Sequence, residues 1–124
     1  PAADNLEVAL ARSQQQQQPS LLEGLLARAR AGEAQAQLHL CGMYRSGRGV
    51  EQDGYQAFHW CKRAAEGGLL DAQYPLGLLY LQGIGVTEDE ERALEWIWLA
   101  SDRGSQQATQ TLQFVLQNDF TTGC

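Results

Sequence analysis

Residues 29–64 read ARAGEAQAQLHLCGMYRSGRGVEQDGYQAFHWCKRA, and residues 65–100 read AEGGLLDAQYPLGLLYLQGIGVTEDEERALEWIWLA. Aligned without a gap, the two stretches share thirteen identical positions, whereas unrelated sequences of ordinary composition share about two or three. The identical pairs are Ala29/Ala65, Gly32/Gly68, Ala36/Ala72, Gln37/Gln73, Leu40/Leu76, Tyr44/Tyr80, Gly47/Gly83, Gly49/Gly85, Val50/Val86, Asp53/Asp89, Ala57/Ala93, Trp60/Trp96 and Ala64/Ala100. A fixed period of this length indicates stacked copies of one supersecondary unit. The repeat therefore predicts a solenoid.

Within each copy, apolar residues recur at the three- and four-residue spacing of an amphipathic α-helix. In the first copy these residues are Ala36, Leu40 and Tyr44, then Ala57, Trp60 and Ala64. Between the two series, Gly47 and Gly49 can adopt positive φ at a helix end, and Asp53 suits the start of the next helix. Each copy is therefore predicted to be a pair of helices. The predicted helices cover about residues 33–46, 54–66, 70–82 and 88–103.

The segments on either side of the two copies are predicted to cap the stack. Ser20 is suited to begin a helix that ends near Gly32, in the register of a second helix of the repeat. A third copy starts at Gly104 and breaks off, which leaves one capping helix. The predicted organisation is an N-terminal helix and glutamine-rich linker at 1–19, a solenoid at 20–118 and a flexible tail at 119–124. Within the solenoid we predict an N-cap helix at 20–32, repeats at 33–68 and 69–104, and a C-cap helix at 105–118.

The composition argues against two classes of partner. The net charge is −6, so the basic surface that dominates nucleic-acid affinity is absent. No stretch approaches the ~18 consecutive apolar residues that a membrane-spanning helix needs. We therefore predict a soluble protein with no nucleic-acid partner and no membrane insertion.

The three cysteines cannot all pair within one chain, and three are too few for a disulfide-rich scaffold. We predict reduced thiols at Cys41, Cys61 and Cys124. A bridge between Cys41 and Cys61 is the alternative, and it requires two adjacent helices to place the two Cα atoms about 5.5–6 Å apart. The sequence leaves that alternative open.

The residues best suited to chemistry do not form a site. His39 and Cys41, like His59 and Cys61, are two residues apart on a helix, so they point about 200° away from each other and do not chelate one ion. Neither cysteine has the orienting third group that activates a catalytic thiol. The acidic run at residues 88–91 is interpreted as a solvated helix start that is favoured by the helix dipole. We predict no catalytic residue, no metal and no cofactor.

The repeated pattern resembles the Sel1-like repeat, a relative of the tetratricopeptide repeat. It carries Gly-x-Gly-Val-x-x-Asp followed by Ala-x-x-Trp-x-x-x-Ala, and the whole motif occurs at residues 36–68 and again at 72–104. The resemblance covers about residues 20–118, and it departs from the family at Cys41, where a glycine is usual and the second copy has Gly77. It implies an all-α fold, a right-handed α/α superhelical solenoid, that binds protein partners and catalyses no reaction.

The resemblance also implies where a partner binds. In the related tetratricopeptide frame the first helices line the concave face, and the ligand-facing positions lie around the leucines at positions 40, 76 and 112 of this chain. Carried over, these positions are Leu38, Gly42 and Arg45; Tyr74, Leu78 and Leu81; and Gln110, Phe114 and Gln117. The apolar members would form a patch that soluble monomers rarely leave uncovered, with Arg45 at its edge. Two alternatives stay open: packing of Leu78 and Leu81 within the chain, and self-association through the patch.

By this resemblance we predict a non-enzymatic interaction scaffold that binds one protein partner on its concave face, in a bacterial cytoplasm or periplasm. The most specific expectation is an immunity protein that neutralises a secreted toxin or effector, or an adaptor for an envelope protein. The alternative is a structural module that assembles as a homodimer or larger homo-oligomer.

Overall fold

The structure, a computed structural model, describes residues 20–122, with side chains to residue 117. Its helices are α1 (Leu21–Arg30), α2 (Ala34–Ser46), α3 (Gly54–Glu66), α4 (Leu70–Gln82), α5 (Glu90–Asp102) and α6 (Gln106–Thr122). The described residues contain no strand, and the prediction of an all-α fold is confirmed. None of their helices is long and apolar enough to cross a bilayer. The segment predicted at 1–19 lies outside the described residues, and α6 continues four residues past its predicted end at 118.

The helices form a solenoid in which each packs against the next along the chain. The closest packing is within the pairs α2–α3 and α4–α5, and α3–α4 joins one pair to the other. We call α2, α4 and α6 the A helices, and α1, α3 and α5 the B helices. The described chain therefore runs B, A–B, A–B, A. This nearest-neighbour packing is what a period of thirty-six residues predicts.

The helix ends are set by residues that recur in both copies. Asp53 accepts hydrogen bonds from the backbone N–H groups of Tyr55 and Gln56 at the start of α3, and Asp89 accepts one from Arg92 at the start of α5. At the ends of α2 and α4, Gly47 and Gly83 have φ of 78° and 70°, a conformation that costs glycine little. Helix starts and ends are thus repeated because the same backbone groups need partners at the same places.

α4 begins at Leu70, as the sequence predicts. Its N-cap is Leu69, and Asp71 lies in the first turn. Pro75 is consequently the sixth helical residue. Its missing N–H removes one helical hydrogen bond near the start of α4.

The buried core consists of the small and large apolar residues that the two copies share. Ala57, Ala64, Ala93 and Ala100 are fully buried on the B helices, which lets neighbouring helices approach closely. One core cluster spans α1 to α5, and a second joins α5 to α6 through Ile97, Ala100, Ala108 and Leu112. The buried amide of Gln37 donates a hydrogen bond of 3.0 Å from Nε2 to the Ala29 carbonyl, which holds the end of α1.

The two repeats meet where the second Gly-x-Gly turn lies on the start of α3. Gly85 has φ of 73°, and a Cβ added there would overlap the Gly54 carbonyl and lie 2.9 Å from Phe58 Cβ. The Phe58 ring meets the Tyr80 ring edge to face, with centroids 5.2 Å apart. Glycine at position 85 is therefore needed both for its φ and for the close approach of the repeats.

The cysteine prediction is wrong for two of the three residues. Cys41 of α2 and Cys61 of α3 form a disulfide, with Cα atoms 5.2 Å apart. Both are almost completely buried. The bridge joins the two helices of the first repeat, because the A–B packing brings these positions within disulfide reach. Cys124 lies outside the described residues.

Candidate protein-binding surface

The A helices carry all nine positions that the resemblance assigns to a partner, and we call their surface the A-helix face. They fall into three sets of repeat-equivalent residues: Leu38, Tyr74 and Gln110; Gly42, Leu78 and Phe114; and Arg45, Leu81 and Gln117. Gly42, Gln110, Phe114 and Gln117 are exposed, and the other five are half-buried. None of the nine is fully buried, so the repeat places each set along the same side of successive helices.

Tyr74 joins two elements of the fold. Its hydroxyl lies 2.7 Å from Thr111 Oγ1, a hydrogen bond that links α4 to α6. Its ring packs against the cluster that contains Ile97 and Leu112. Tyr74, one of the two aromatic residues among the predicted partner positions, therefore has structural contacts within the chain.

The remaining apolar positions divide into packed and unpacked side chains. Leu38 and Leu81 pack against the larger core cluster. Leu78 is half-buried but packs against neither cluster, and Phe114 is 64% exposed. Since Leu78 and Phe114 occupy the same repeat position on α4 and α6, they are the apolar pair that the A-helix face presents to solvent.

A depression on α2 continues this face. It has a volume of about 560 Å³ and is lined by Leu38, His39, Gly42, Met43, Ser46 and Arg48. Gly42 is the repeat equivalent of Leu78, and a Cβ added at Gly42 would meet no heavy atom of the described residues within 4 Å. The glycine thus leaves space where the second repeat has a leucine side chain.

Polar groups border the apolar pair. On α6, exposed glutamines lie at positions 106, 107, 110, 113 and 117, and residues 106–117 carry no charge. At the other end, Arg45 is half-buried on α2, and its carbonyl accepts a hydrogen bond of 2.8 Å from Gln52 Nε2. Amide side chains both donate and accept hydrogen bonds, so the border suits a polar peptide backbone better than a charged group.

The described histidines and cysteines do not lie together as a chemical site. His39 and His59 are exposed whereas Cys41 and Cys61 are buried, which confirms that each helix turns one member of each pair inward. Within the described range, no three His, Cys, Asp or Glu side chains come together as a metal site.

The clearest electrostatic contact lies at the turn between α1 and α2. Arg28 donates to Glu33 with Nε–Oε2 and Nη2–Oε1 distances of 2.8 and 3.1 Å. This hydrogen bond, with the positive charge of Arg28, lowers the pKa of Glu33 below its ordinary value. Both groups are exposed, so the pair orients the turn without forming a reactive site.

The Sel1 repeat model matches residues 34–69 and 70–105. This chain belongs to the Sel1 repeat family. Sel1 repeat proteins are generally protein–protein interaction scaffolds.

Solved Sel1 repeat structures are similar to this one. The Sel1 repeat protein of Oxalobacter formigenes is 43% identical with a TM-score of 0.69, and the match covers 72% of this chain and 67% of that one. A protective antigen of uropathogenic Escherichia coli strains with an SLR fold is 43% identical with a TM-score of 0.70, over 75% of this chain and 20% of that one. Cysteine rich protein B of Helicobacter pylori shares the fold at 23% identity and a TM-score of 0.65, over 70% and 65% of the two chains. No curated protein matches this chain.

Two features of this Sel1 repeat chain were not predicted from the sequence. One is the Cys41–Cys61 disulfide, which the sequence left open only as the alternative to reduced thiols; both residues depart from the second copy, where Gly77 and Ile97 occupy their positions. The other is the exposed indole of Trp98 on α5. In the sequence it differs from the repeat in one way: it is a tryptophan that does not occupy the position shared by Trp60 and Trp96.

Proposed function

We propose that this Sel1 repeat chain is a non-enzymatic scaffold that binds one protein partner on its A-helix face. The observation that supports the proposal most directly is the pair Leu78 and Phe114, which occupy one repeat position on neighbouring A helices and pack against neither core cluster. Aromatic side chains surrounded by other contact residues are typical binding hot spots. The polar border and the depression at Gly42 add hydrogen-bonding groups and space for a partner side chain.

The disulfide supports a proposal about the compartment and hence the class of partner. Structural disulfides persist in oxidising compartments and are rare in the cytosol of mesophiles. We therefore place this chain in a bacterial periplasm or outside the cell, with a secreted or cell-envelope protein as partner. Within that class, the specific role we propose is that of an immunity protein that neutralises a secreted toxin or effector.

The compartment is tested by trapping thiols in the native cells. Cells are lysed into denaturant that contains a maleimide, so that every free thiol is blocked, buried ones included; the protein is then reduced, and newly released thiols are labelled with a heavier maleimide. We expect Cys41 and Cys61 to carry the heavy label in most molecules. Light label on both residues would contradict the proposed compartment. That result would say nothing about the A-helix face, so binding is tested separately.

Binding is tested with two variants that change the charge equally. The test variant is Leu78→Glu/Phe114→Glu, on the A-helix face. The matched control is Leu21→Glu/Tyr55→Glu, which places two carboxylates at B-helix positions that are 96% and 77% exposed. Each tagged protein is purified from native cells after circular dichroism and urea unfolding have shown that it folds. We expect one co-purifying protein to be lost from the test variant and retained by the control.

Other outcomes have distinct meanings. A partner retained by the test variant would overturn the assignment to the A-helix face. A wild-type protein that brings down no partner, and whose homodimer by light scattering is lost in Leu78→Glu/Phe114→Glu, would replace the scaffold with the self-assembling module. A toxin among the recovered proteins whose activity the wild-type protein inhibits would establish the immunity role.

A further inference from the structure

The outward side of α5 carries two apolar side chains that the repeat does not require. Trp98 is 50% exposed and Leu99 is 42% exposed. The repeated tryptophan of this helix is Trp96, and the first repeat has Lys62 and Arg63 at the positions of Trp98 and Leu99. Because an equivalent helix packs with two charged residues there, the packing of the solenoid does not account for the apolar pair.

Three carboxylates lie beside Trp98 on the same side of the helix. Glu95 is three residues before it and Asp102 is four residues after it, and Glu91 precedes Glu95 by four, so these residues follow one helix face. All three are exposed, and none forms an ion pair with another described residue. We call Glu91, Glu95, Trp98, Leu99 and Asp102 the Trp98 surface.

Stabilisation of the helix does not account for the whole acidic face. Glu90 and Glu91 lie in the first turn of α5 and are favoured by the helix dipole. Asp102, in contrast, is the last residue of α5, and the last turn contains no basic residue. A carboxylate at a helix C-terminus is unfavourable, so Asp102 opposes the stability of the helix it ends.

The charge of the surrounding chain has the same sign. Residues 68–124 contain eight acidic and two basic residues, whereas residues 20–67 contain five acidic and six basic residues. The two basic side chains of this part have contacts of their own, and Arg92 also attracts Glu95 of the Trp98 surface. Arg92 pairs with Asp89 at 3.5 Å, and Arg103 donates to the Gly68 carbonyl at 3.2 Å. The three carboxylates of the Trp98 surface outnumber the one arginine that attracts a member of the surface, so the surface keeps a net negative charge.

We propose that the Trp98 surface binds a basic segment of a protein partner. An arginine of that segment stacks on the exposed indole, which is the aromatic ring that attracts cations most strongly, and its guanidinium pairs with Glu95 or Asp102 through charge-assisted hydrogen bonds. Leu99 contacts the apolar stem of a neighbouring basic side chain. The net charge of −6 opposes a second copy of the chain as the occupant, and nucleic acid and anionic lipid are repelled by the same patch.

The probe for this proposal is a fluorescein-labelled ten-residue peptide of alternating arginine and alanine. Its binding is measured by fluorescence anisotropy at about 150 mM salt, where the charges of distant residues are largely screened. The test variants are Glu95→Gln/Asp102→Asn and, separately, Trp98→Ala. The matched control is Glu88→Gln/Glu90→Gln, which removes one carboxylate just before α5 and one from its first residue and changes the net charge by the same amount.

We expect each test variant to weaken binding by about tenfold, the loss of one charge-assisted hydrogen bond or cation–π contact, and the control by less than about twofold. Equal weakening by the test and control carboxylate pairs would overturn the proposal in favour of a diffuse field. No binding of the peptide to wild-type protein, or full binding to Trp98→Ala, would overturn it as well.

Three further measurements keep the result decisive. Trp98→Leu, which keeps an apolar side chain and the net charge but removes the aromatic ring, replaces Trp98→Ala if the alanine variant unfolds. Leu78→Glu/Phe114→Glu is expected to bind the peptide at least as well as wild-type protein, so failure of the A-helix face and failure of the Trp98 surface are distinguishable. A wild-type dimer that dissociates in Trp98→Ala, seen by sedimentation velocity, would make a second copy the occupant and overturn the basic partner.

Discussion

The two repeats have different residue pairs at one equivalent place in the core. The first repeat has the Cys41–Cys61 disulfide, and the second has Gly77 opposite the fully buried Ile97. A Cβ added to Gly77 would lie 2.6 Å from Ile97 Cγ1 and 3.0 Å from the Ala93 carbonyl oxygen. The glycine thus makes room for a branched side chain, whereas the first repeat fills the same gap with two sulfur atoms. Residue 41 can be larger than glycine because the residue that faces it is Cys61, where the second repeat has isoleucine.

Substitution of Gly77 by alanine tests this reading. We expect Gly77→Ala to lower the free energy of unfolding by about 1–3 kcal/mol, because the methyl group meets Ile97 and a backbone oxygen that has little freedom to move. Gly42→Ala is the matched control. It lies in the interior of α2, with no atom of the described part of the chain within 4 Å of the new Cβ, so the better helix propensity of alanine is expected to raise the free energy of unfolding by about 0.5–1 kcal/mol. Urea unfolding measures both, and two changes of the same sign would contradict the crowding at Gly77.

The disulfide has its own expected contribution. The cysteines are separated by 20 residues, and closing a loop of that size in the unfolded chain corresponds to about 3 kcal/mol of stability. We expect Cys41→Ala/Cys61→Ala to lose roughly that amount in urea unfolding. Addition of a reductant is the control: it is expected to destabilise wild-type protein toward the double variant and to leave the double variant unchanged. Equal stability of oxidised and reduced wild-type protein would contradict this assignment.

At the scale of the elements, the sequence predicted what depends on local spacing. The caps Asp53 and Asp89 and the glycine ends of α2 and α4 follow from residues that act within one turn of their own helix. The disulfide did not follow, because Cys41 and Cys61 meet only after α2 and α3 pack together. The end of α6 was placed too early for a related reason: residues 119–122 lack apolar periodicity that would mark them as helical.

The contact between the repeats is tested at Gly85, with Gly49 as its equivalent in the first repeat. The two glycines have nearly the same φ, 73° and 79°, so alanine meets a similar backbone strain of about 1–2 kcal/mol at either position. Among the described residues, a Cβ on Gly49 meets only the flexible end of Met43, at 3.1 Å, whereas one on Gly85 overlaps the Gly54 carbonyl. We therefore expect Gly85→Ala to destabilise the protein by at least about 2 kcal/mol more than Gly49→Ala. Urea unfolding gives both values, and equal values would mean that the close approach contributes little.

At the scale of the molecule, the repeat predicted the architecture more completely than the surface contacts on which the proposed binding surfaces rest. The period places Leu78 and Phe114 on one side of the A helices, and the structure leaves these two least engaged with the core. The hydrogen bond between Tyr74 and Thr111 crosses from α4 to α6, so no local pattern revealed it. Trp98 was missed because it departs from the repeat. In a repeat protein, the shared residues specify the frame and the departures carry individual function.

The position of each helix in the stack predicts an order of local stability. A helix in the middle of a solenoid has neighbours on both sides, whereas a terminal helix has one. Among the residues with described side chains, α6 buries only Ala108 and Leu112 and packs mainly against α5. In α2 and α3, by contrast, the disulfide and the larger core cluster hold the helices from several sides.

Amide hydrogen exchange followed by mass spectrometry measures this order. We expect α6 to exchange first, α5 next, and α2 and α3 last, because opening the end of the stack exposes less apolar surface than opening its middle. Reduction of the disulfide is expected to speed exchange in α2 and α3 and to leave α6 unchanged. Exchange of α6 as slow as that of α3 would show that the molecule opens as one unit. Since Phe114 lies on α6, the same measurement reports on function: a partner bound to the A-helix face is expected to slow exchange in α6 most, where the free protein opens most readily.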